Sequence, residues 1–302
     1  MTTSAEDFKV SYVVPCFNRT KQLRETLLSI INQEDWNSEI IVVDDASTVD
    51  TFEPISDLVE LAEIHYVKLD RNLGVCGAKN AGVKKAKGEL VVFVDSDDLL
   101  CQNASTRIRR RFKERPGEVL FFSCVDEERR SIYRRNVRFG RLNYSSLLAD
   151  EAPGEFLPAA PKALLEAVPF EEHLRGFEHI TWLKCARKCG GVSYYPDIAR
   201  IYRISGEDRM CAPKNLFAGA DRLARGWIAY LNEFEEDLAR HARLRLAAGI
   251  VKALVYGKAS GVAERYKPRN LLAKILNEVL VVSFSIIPEG LTRRILRYRM
   301  GA

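Results

Sequence analysis

The sequence predicts an α/β fold built on a mostly parallel sheet, followed by a helical C-terminal extension. Short β-branched and aromatic runs alternate with helical patterns from Val10 to Ser123, and this alternation is typical of βαβ units. Three of the predicted strands end in polar or acidic residues, which a parallel arrangement gathers at one edge of the sheet. From about Asn215 to Met300 the pattern is helical throughout, with Pro268 and Pro288 as breaks.

The first strand is predicted over Val10–Val14, where Pro15 closes it. Thr20 is a candidate N-cap for the helix that follows. That helix has one apolar face, formed by Leu23, Leu27, Ile30 and Ile31, and the spacing of these residues predicts that it packs on the sheet.

The second and third strands are predicted over Glu39–Val43 and Ile64–Leu69, with a short helix from Ile55 to Ala62 between them. A stretch with two glycines, Gly74–Asn80, then opens another helix, which Gly88 ends. These glycines lack the spacing of a dinucleotide fingerprint and of a P-loop. We therefore expect them to permit close helix packing and not to cradle a phosphate.

The most informative segment is the buried-strand pattern Val91–Val94 and the acidic residues Asp95, Ser96, Asp97 and Asp98 that follow it. In an extended segment residues i and i+2 point the same way, so Asp95 and Asp97 are predicted to converge. Two carboxylates together with phosphate oxygens are a usual way to hold Mg²⁺ or Mn²⁺ on a nucleotide. The alternative is that Ser96 or Asp97 caps the next helix and binds no metal.

The second half of the chain is less regular. A strand is predicted at Val119–Ser123, and a basic, weakly patterned region extends from it to about Asp150. The proline-rich segment 153–161 is predicted to be a loop. After it, the segment 171–179 leads into a helix that begins at Ile180.

Composition limits the classes of function. The seven cysteines are scattered and odd in number, which favours reduced core thiols of a cytosolic protein over a disulfide framework. The polar N-terminus has no signal-peptide pattern, and no segment reaches the ~18–20 apolar residues of a transmembrane helix. No nucleic-acid-binding motif accompanies the basic residues. We therefore expect a cytoplasmic protein with no nucleic-acid partner.

Positive charge is concentrated at the C-terminus. From Val262 onwards eight Lys/Arg face three Glu, and this difference of +5 equals the net charge of the whole chain. The apolar segment 271–287 is followed by Arg293, Arg294, Arg297 and Arg299. Such a segment is either an interfacial anchor at the inner face of the cell membrane or a helix packed on the protein with a solvated basic end.

Four motifs resemble those of a known family. They are Val14–Arg19, Ile41–Ser47, Ala78–Gly82 and Val92–Asp98. Their order and spacing resemble the donor half of a family 2 glycosyltransferase, an inverting enzyme of the GT-A fold. Gly176–Glu178 and Tyr202–Arg203 match the second half more loosely. The resemblance implies a glycosyltransferase domain over 1–210, with a donor half at 8–123 and an acceptor half at 150–210, and an extension over 211–302.

The resemblance implies that the donor is a nucleotide sugar, with UDP as the expected nucleotide. Pro15 and Phe17 would line the wall beside its base, and Asp45 would accept a hydrogen bond from the base. Lys79, where the family usually has arginine, would approach the nucleotide or its phosphates. Asp95 would hold the ribose or assist the metal, and Asp97 would be the main ligand of Mn²⁺ or Mg²⁺.

The chain departs from the family at the general base. Family members usually have Glu-Asp where this sequence has Glu178-His179. A histidine with an ordinary pKa near 6.5 is a competent base at neutral pH. Three alternatives stay open: that His179 replaces the aspartate, that Glu178 acts instead, or that the alignment is shifted by one residue.

We therefore expect a metal-dependent transferase that moves a sugar to a glycan or lipid-linked acceptor in surface polysaccharide biosynthesis. One alternative is a sugar-phosphate nucleotidyltransferase, although the segment after the first strand lacks the glycine-rich basic loop usual there. The other is a non-catalytic subunit that binds nucleotide sugars or glycans.

Overall fold

The computed structural model describes residues 8–33, 37–133, 138–149, 154–203 and 219–285. The chain divides into two compact units. The first comprises Met1–Tyr144 and Glu151–Ile204, and the second comprises Ser145–Asp150 and Ser205–Ala302. Each unit is described separately.

The described residues of the first unit form one nine-stranded sheet in the order β3-β2-β1-β4-β8-β6-β9-β5, with β7 also paired to β9. The strands are β1 (Val10–Cys16), β2 (Ser38–Asp44), β3 (Ile64–Lys68), β4 (Leu90–Phe93), β5 (Leu99–Leu100), β6 (Val119–Val125), β7 (Gly140–Asn143), β8 (Phe156–Pro161) and β9 (Gly191–Ile201). The predicted α/β class is confirmed.

The sheet has a parallel part and a mixed part. Strands β3, β2, β1 and β4 are parallel neighbours. Beyond them β8 runs antiparallel to both β4 and β6, while β6 and β9 are parallel. Because β1, β2 and β4 are adjacent and parallel, the loops after them meet at one edge of the sheet, as the sequence predicted.

Seven helices have described bounds between the start of the chain and the end of the first unit, and all of them except α5, which lies almost wholly in the second unit, belong to the first unit. They are α1 (Lys21–Ile31), α2 (Ser56–Leu61), α3 (Gly74–Lys85), α4 (Ala104–Glu114), α5 (Tyr144–Leu148), α6 (Lys162–Ala167) and α7 (His179–Cys189). The predicted apolar face of α1 is confirmed, since Leu23, Leu27 and Ile30 are buried against the sheet residues of the main core. This packing fixes the loop between β1 and α1 over the sheet edge.

Three local predictions were wrong. Pro15 does not close β1, because it lies inside the strand opposite Val43. Thr20 precedes α1, but its side chain makes no capping hydrogen bond. The proline-rich segment is not all loop: Phe156–Pro161 forms β8, which pairs with strands on both sides. Tertiary pairing holds β8 in place even though its two prolines have no N–H to donate.

The second unit is helical over its described C-terminal part. Its helices are α8 (Ala220–His241), α9 (Arg243–Ser260) and α10 (Leu271–Ser285). The break predicted at Pro268 lies between α9 and α10, whereas Pro288 lies outside the described residues. The buried Glu235 of α8 holds the segment between α9 and α10 in place. It accepts hydrogen bonds from the Tyr266 hydroxyl and from the backbone N–H groups of Arg269 and Asn270.

Helix α10 leaves much of its apolar surface exposed. Leu271, Ile275, Val279 and Val282 each expose more than half of their accessible surface. No helix in the described parts of the chain is long and apolar enough to cross a bilayer. The four C-terminal arginines, 293 to 299, lie outside the described residues.

Candidate functional site

The loops after β1 and β2 are joined to each other by hydrogen bonds. The Asn18 backbone N–H donates to Ser47 Oγ at 2.9 Å, and Asn18 Oδ1 accepts from the Thr48 N–H at 2.8 Å. Asn18 and Ala46 both have positive φ, of 52° and 57°, a conformation that non-glycine residues adopt infrequently. These contacts hold both loops in one arrangement at the sheet edge.

Asp44, the last residue of β2, stabilises this arrangement of the two loops. Its fully buried carboxylate accepts hydrogen bonds from the Ser47 N–H at 2.7 Å, Thr51 Oγ1 at 2.9 Å and the Tyr66 hydroxyl at 2.7 Å. Burial disfavours the charged form of Asp44, but the bonds from Ser47, Tyr66 and Thr51 outweigh it and lower its pKa.

Asp45 lies beside a cleft at the same edge. The cleft is open to solvent and has a volume of about 90 Å³, and its lining residues are Pro15, Cys16, Phe17, Asp45, Asn72, Gly74, Val75, Ala78 and Arg175. The structure thus brings together three predicted site residues, Pro15, Phe17 and Asp45. Phe17 exposes 43% of its surface, and Asp45 is almost fully buried.

The Asp45 carboxylate also supports the start of α3. Its Oδ1 accepts a hydrogen bond from the Leu73 N–H at 2.7 Å, and the Asn72 amide donates to the Asp45 carbonyl at 3.1 Å. Burial raises the pKa of Asp45, although hydrogen bonds from the Leu73 and Gly74 N–H groups and the nearby Arg175 charge oppose the rise. A charged donor at this carboxylate, or a base N–H, would compensate for the burial.

Arg175 is a cleft residue that the sequence did not predict. Its side chain lines the cleft and lies within 3.8 Å of the position that a Cβ on Gly74 would take. Gly74 has a φ of +75°, which favours glycine. A single arginine before a helix carries no periodic signal, so only the fold shows that it faces the cleft.

The acidic residues after β4 form a turn and not an extension of the strand. Strand β4 ends at Phe93, and the Asp98 N–H donates to the Asp95 carbonyl at 3.0 Å. Asp95 and Asp97 are therefore not in the extended conformation from which their convergence was predicted. The helix-cap alternative is also wrong, because the next helix, α4, begins only at Ala104.

Arginines from two distant segments bind this acidic turn. The guanidinium of Arg19 lies 3.3 Å from Asp97 Oδ2, and that of the buried Arg200 lies 3.2 Å from Asp95 Oδ2 and 3.1 Å from Asp98 Oδ2. The Arg203 N–H donates to Asp98 Oδ1 at 3.1 Å. Asp98 is thus held inside the protein, whereas the side chains of Asp97 and Asp95 remain about 40% exposed.

Asp95 and Asp97 fit a divalent cation. Burial and the charge of Asp95 both raise the pKa of Asp97, so the two carboxylates are close enough to repel each other. Mg²⁺ is usually held by one or two carboxylates together with substrate phosphate oxygens and water. Two carboxylates of this kind are present in the acidic turn, and their role as metal ligands stays a prediction.

Lys79 does not line the cleft. It lies on the buried side of α3, where its Nζ is 5.6 Å from the ring centre of Phe93 and 5.7 Å from that of Phe170. At these distances the ammonium group is attracted by both ring faces. A role of Lys79 toward the nucleotide stays a prediction.

Glu178 and His179, the two residues predicted to act as the general base, lie at the start of α7. Glu178 Oε1 accepts a hydrogen bond from the Gly176 N–H at 3.3 Å and lies 3.8 Å from Cys76 Sγ of α3. Cys76 is next to Val75, which lines the cleft, so Glu178 lies near the part of α3 that borders the cleft. His179 is exposed, with its ring centre 5.4 Å from that of Phe177.

Comparisons with known proteins agree with this arrangement. The profile of the family described as "Glycosyl transferase family 2" matches residues 11–173. A Campylobacter jejuni protein, named GalNAc(5)-diNAcBac-PP-undecaprenol beta-1,3-glucosyltransferase, is 29% identical over 97% of this chain and 98% of its own length. Two other curated relatives match over only 40% and 35% of this chain, which spans 18% and 26% of their length.

Solved structures show the same fold at low identity. S. aureus TarS 1-349 in complex with UDP-GlcNAc matches with a TM-score of 0.62 at 18% identity, over 97% of this chain and 92% of that one. The mannosyltransferase PcManGT from Pyrobaculum calidifontis, in complex with GDP-Man and Mn²⁺, matches with a TM-score of 0.60 at 19% identity, over 97% and 85%. The predicted GT-A fold is confirmed.

Proposed function

Because the chain belongs to glycosyl transferase family 2, we propose that it is an inverting, metal-dependent glycosyltransferase with a UDP-sugar donor and a glycan or lipid-linked acceptor. The observation that supports this most directly is the common sheet edge. It places the cleft of Pro15, Phe17 and Asp45 after β1 and β2, and the acidic turn after the adjacent β4. A nucleotide bound at such an edge has its base at one end and its phosphates at the other.

In this proposal Phe17 and Pro15 form the wall beside the base, and Asp45 accepts the hydrogen bond of a base N–H. Arg175 lines the same cleft, where a guanidinium is suited to bind phosphate oxygens. Asp97 and Asp95 hold the divalent cation, Mn²⁺ or Mg²⁺. When bound, that cation neutralises the negative charge that develops on the leaving nucleoside diphosphate.

We propose that Glu178 and His179 together activate the acceptor hydroxyl. Inversion requires a single in-line displacement, so the base removes the hydroxyl proton on the face of the sugar opposite the leaving group. The contacts of Glu178 with Gly176 and near Cys76 hold its carboxylate in place. The exposed ring of His179 lies next to Glu178 at the start of α7, and an imidazole is in general a base of suitable strength at neutral pH.

Two features support a lipid-linked acceptor at the inner membrane face, as part of surface polysaccharide biosynthesis. The name of the Campylobacter relative describes glucosyl transfer to a glycan carried on PP-undecaprenol. The exposed apolar residues of α10 precede a segment with four arginines, and this composition is typical of helices that bind anionic membrane surfaces. We propose a cytoplasmic, peripheral location for these reasons.

The test is a calorimetric titration of the purified protein with UDP and with GDP, each with and without Mn²⁺. We expect UDP to bind more tightly when Mn²⁺ is present and Asp97→Asn to abolish this gain without changing the fold. Asp221→Asn, an exposed aspartate of α8, carries the same charge change outside the donor half and serves as the control. Equal Mn²⁺-dependent affinity in Asp97→Asn would contradict the assigned metal site.

An assay of donor turnover separates the alternatives. Slow hydrolysis of a UDP-sugar in the presence of Mn²⁺, together with faster release of UDP and transfer of the sugar to an added glycan acceptor, supports the transferase. Tight donor binding with no turnover supports a non-catalytic subunit. Formation of a nucleotide sugar from a sugar phosphate and UTP supports a nucleotidyltransferase.

A further inference from the structure

A second polar cluster lies at the opposite edge of the sheet from the donor cleft. Glu39 is the second residue of β2, Glu63 precedes β3, and His65 is the second residue of β3. Strands β2 and β3 are parallel neighbours, so these side chains meet where both strands begin. We call Glu39, Glu63 and His65 the Glu39 cluster. None of its residues belongs to the proposed donor site.

The two carboxylate oxygens of Glu39 differ in their surroundings. Glu39 is fully buried, and its Oε1 accepts three hydrogen bonds: from Ser11 Oγ at 2.6 Å and from the N–H groups of Lys87 and Gly88 at 2.6 and 3.2 Å. Within the described parts of the chain Oε2 has no hydrogen-bond donor. Oε1 therefore fixes the carboxylate, and Oε2 points into the cluster.

A second buried polar atom faces this oxygen. His65 Nε2 likewise has no hydrogen-bond partner among the described residues. It lies 3.4 Å from Glu39 Oε2 and 3.7 Å from Glu63 Oε1. Unpaired buried polar atoms are costly, so a partner that binds both of these atoms would stabilise the cluster.

The spacing of the three atoms fits a zinc ion. Zinc binds histidine nitrogen and carboxylate oxygen at about 2.0–2.2 Å in a tetrahedral arrangement, so neighbouring ligand atoms are about 3.3–3.6 Å apart. The ligand atoms of the Glu39 cluster all lie within 4.8 Å of one another, and the two histidine distances are close to the tetrahedral value. An imidazole ligand favours zinc over Mg²⁺ or Ca²⁺.

We propose that Glu39, Glu63 and His65 bind one Zn²⁺ ion, or a divalent cation of similar chemistry, with a water molecule as the fourth ligand. The ion joins the start of β3, an edge strand of the sheet, to its neighbour β2. Its role is structural, because the cluster lies at the sheet edge away from the donor cleft.

Lys9 supplies the balancing positive charge when no metal is bound. Its ammonium group donates to Glu63 Oε1 at 2.5 Å and lies 3.8 Å from Glu39 Oε2. A divalent ion and this ammonium group compete for the same oxygens. The Lys9 side chain is 24% exposed and has a long flexible stem, so it is able to turn into solvent when the metal binds.

The experiment is a Zn²⁺ titration of the chelator-treated full chain without nucleotide, followed by calorimetry and by thermal unfolding. We expect one equivalent of Zn²⁺ to bind and the melting temperature to rise, because the ion binds only the folded state. His65→Gln and Glu63→Gln should each weaken the affinity at least tenfold. Lys9→Met should increase it. Glu39→Gln is avoided, since Oε1 holds three structural hydrogen bonds.

Two control variants make the result decisive. His173, which lies 3.8 Å from Glu171 and is 73% exposed, forms a similar His–Glu pair on the surface, so His173→Gln should leave Zn²⁺ binding unchanged. Asp97→Asn should also leave it unchanged, because that residue belongs to the acidic turn. Absence of saturable Zn²⁺ binding at micromolar concentrations would overturn the proposal. Binding that survives both His65→Gln and Glu63→Gln but is lost in Asp97→Asn would also overturn it.

Discussion

The residue whose role can be tested most sharply is His179, because it stands where the family usually has an acidic base. If its imidazole accepts the acceptor proton, His179→Ala should lower turnover by ~10²–10⁴ with little change in donor affinity. The acidic limb of the pH–rate profile should then follow an ionisation near the ordinary pKa of histidine. Glu178→Gln should have a smaller effect.

Steady-state kinetics of the two variants, with His173→Ala as an exposed histidine control from the same segment, measure this prediction. A reversed order, with Glu178→Gln nearly inactive and the acidic limb at carboxylate values, would assign the base to Glu178. Full transfer by His179→Ala would exclude the histidine.

Asp44 provides a prediction for stability against pH. Its pKa is lowered in the folded state, so it stabilises the fold above its unfolded pKa of about 3.9, and this stabilisation is lost as the pH falls through the lower folded value. Tyr66→Phe removes one bond to the charged carboxylate and should cost about 1.5–3 kcal/mol at pH 7. The cost should shrink at a pH low enough to protonate Asp44.

Urea unfolding of the wild type and Tyr66→Phe at both pH values measures this difference. Thr51 also donates to Asp44 Oδ2 and contacts the Tyr66 hydroxyl, so Thr51→Val should show the same pH trend. A cost that does not change with pH would mean that Tyr66 stabilises the fold by packing alone.

At the scale of the elements, the contact between α3 and β1 depends on Gly82. A Cβ on this residue would lie 2.3 Å from Val13 Cγ1, a distance that forces the helix or the strand to move. We expect Gly82→Ala to destabilise the protein by about 1–3 kcal/mol despite the better helix propensity of alanine. Gly257→Ala is the matched control.

Gly257 lies in α9, and a Cβ there would meet nothing within 4 Å. Replacement by alanine should therefore be neutral or stabilise by up to about 1 kcal/mol. Thermal unfolding of the two variants compares the same substitution at a tightly packed position and at a position with free space. Equal stability of both would show that α3 shifts away from β1 at no cost.

The sequence predicted the elements whose signal is local. Strands β1, β2 and β4 are continuous apolar runs that end in polar residues, so both their existence and their common edge followed from the pattern. Strand β8 did not, since its prolines favour a loop and only its pairing with β4 and β6 makes it a strand. The arginines that contact the acidic turn were also not predicted as site residues, because ion pairs between distant segments produce no pattern in the local sequence.

At the scale of the whole molecule, the proposed peripheral location depends on the C-terminal helices. Helix α10 exposes Leu271, Ile275, Val279 and Val282. If this surface and the basic segment after it meet a bilayer, the full chain should bind vesicles that contain anionic lipid and should detach at high salt. Removing residues 271–302 should reduce this binding.

Vesicle co-sedimentation with anionic and with neutral lipid measures the prediction. Replacing Val279 and Val282 by serine tests the apolar surface while keeping every charge. If the full chain binds neither vesicle and the truncated chain precipitates, α10 is part of the protein core in solution and does not bind membranes.

The ion pair between Asp95 and Arg200 has a consequence for the synthesis of the protein chain itself. The two residues are 105 positions apart in the chain, and Arg200 lies on β9, which pairs with β6 and β5. At ~5–20 residues per second a ribosome takes roughly 5–20 seconds to make that stretch. During this interval the acidic turn has no Arg200 to neutralise it. The nascent donor half therefore emerges from the ribosome before the ion pair between Asp95 and Arg200 is able to form.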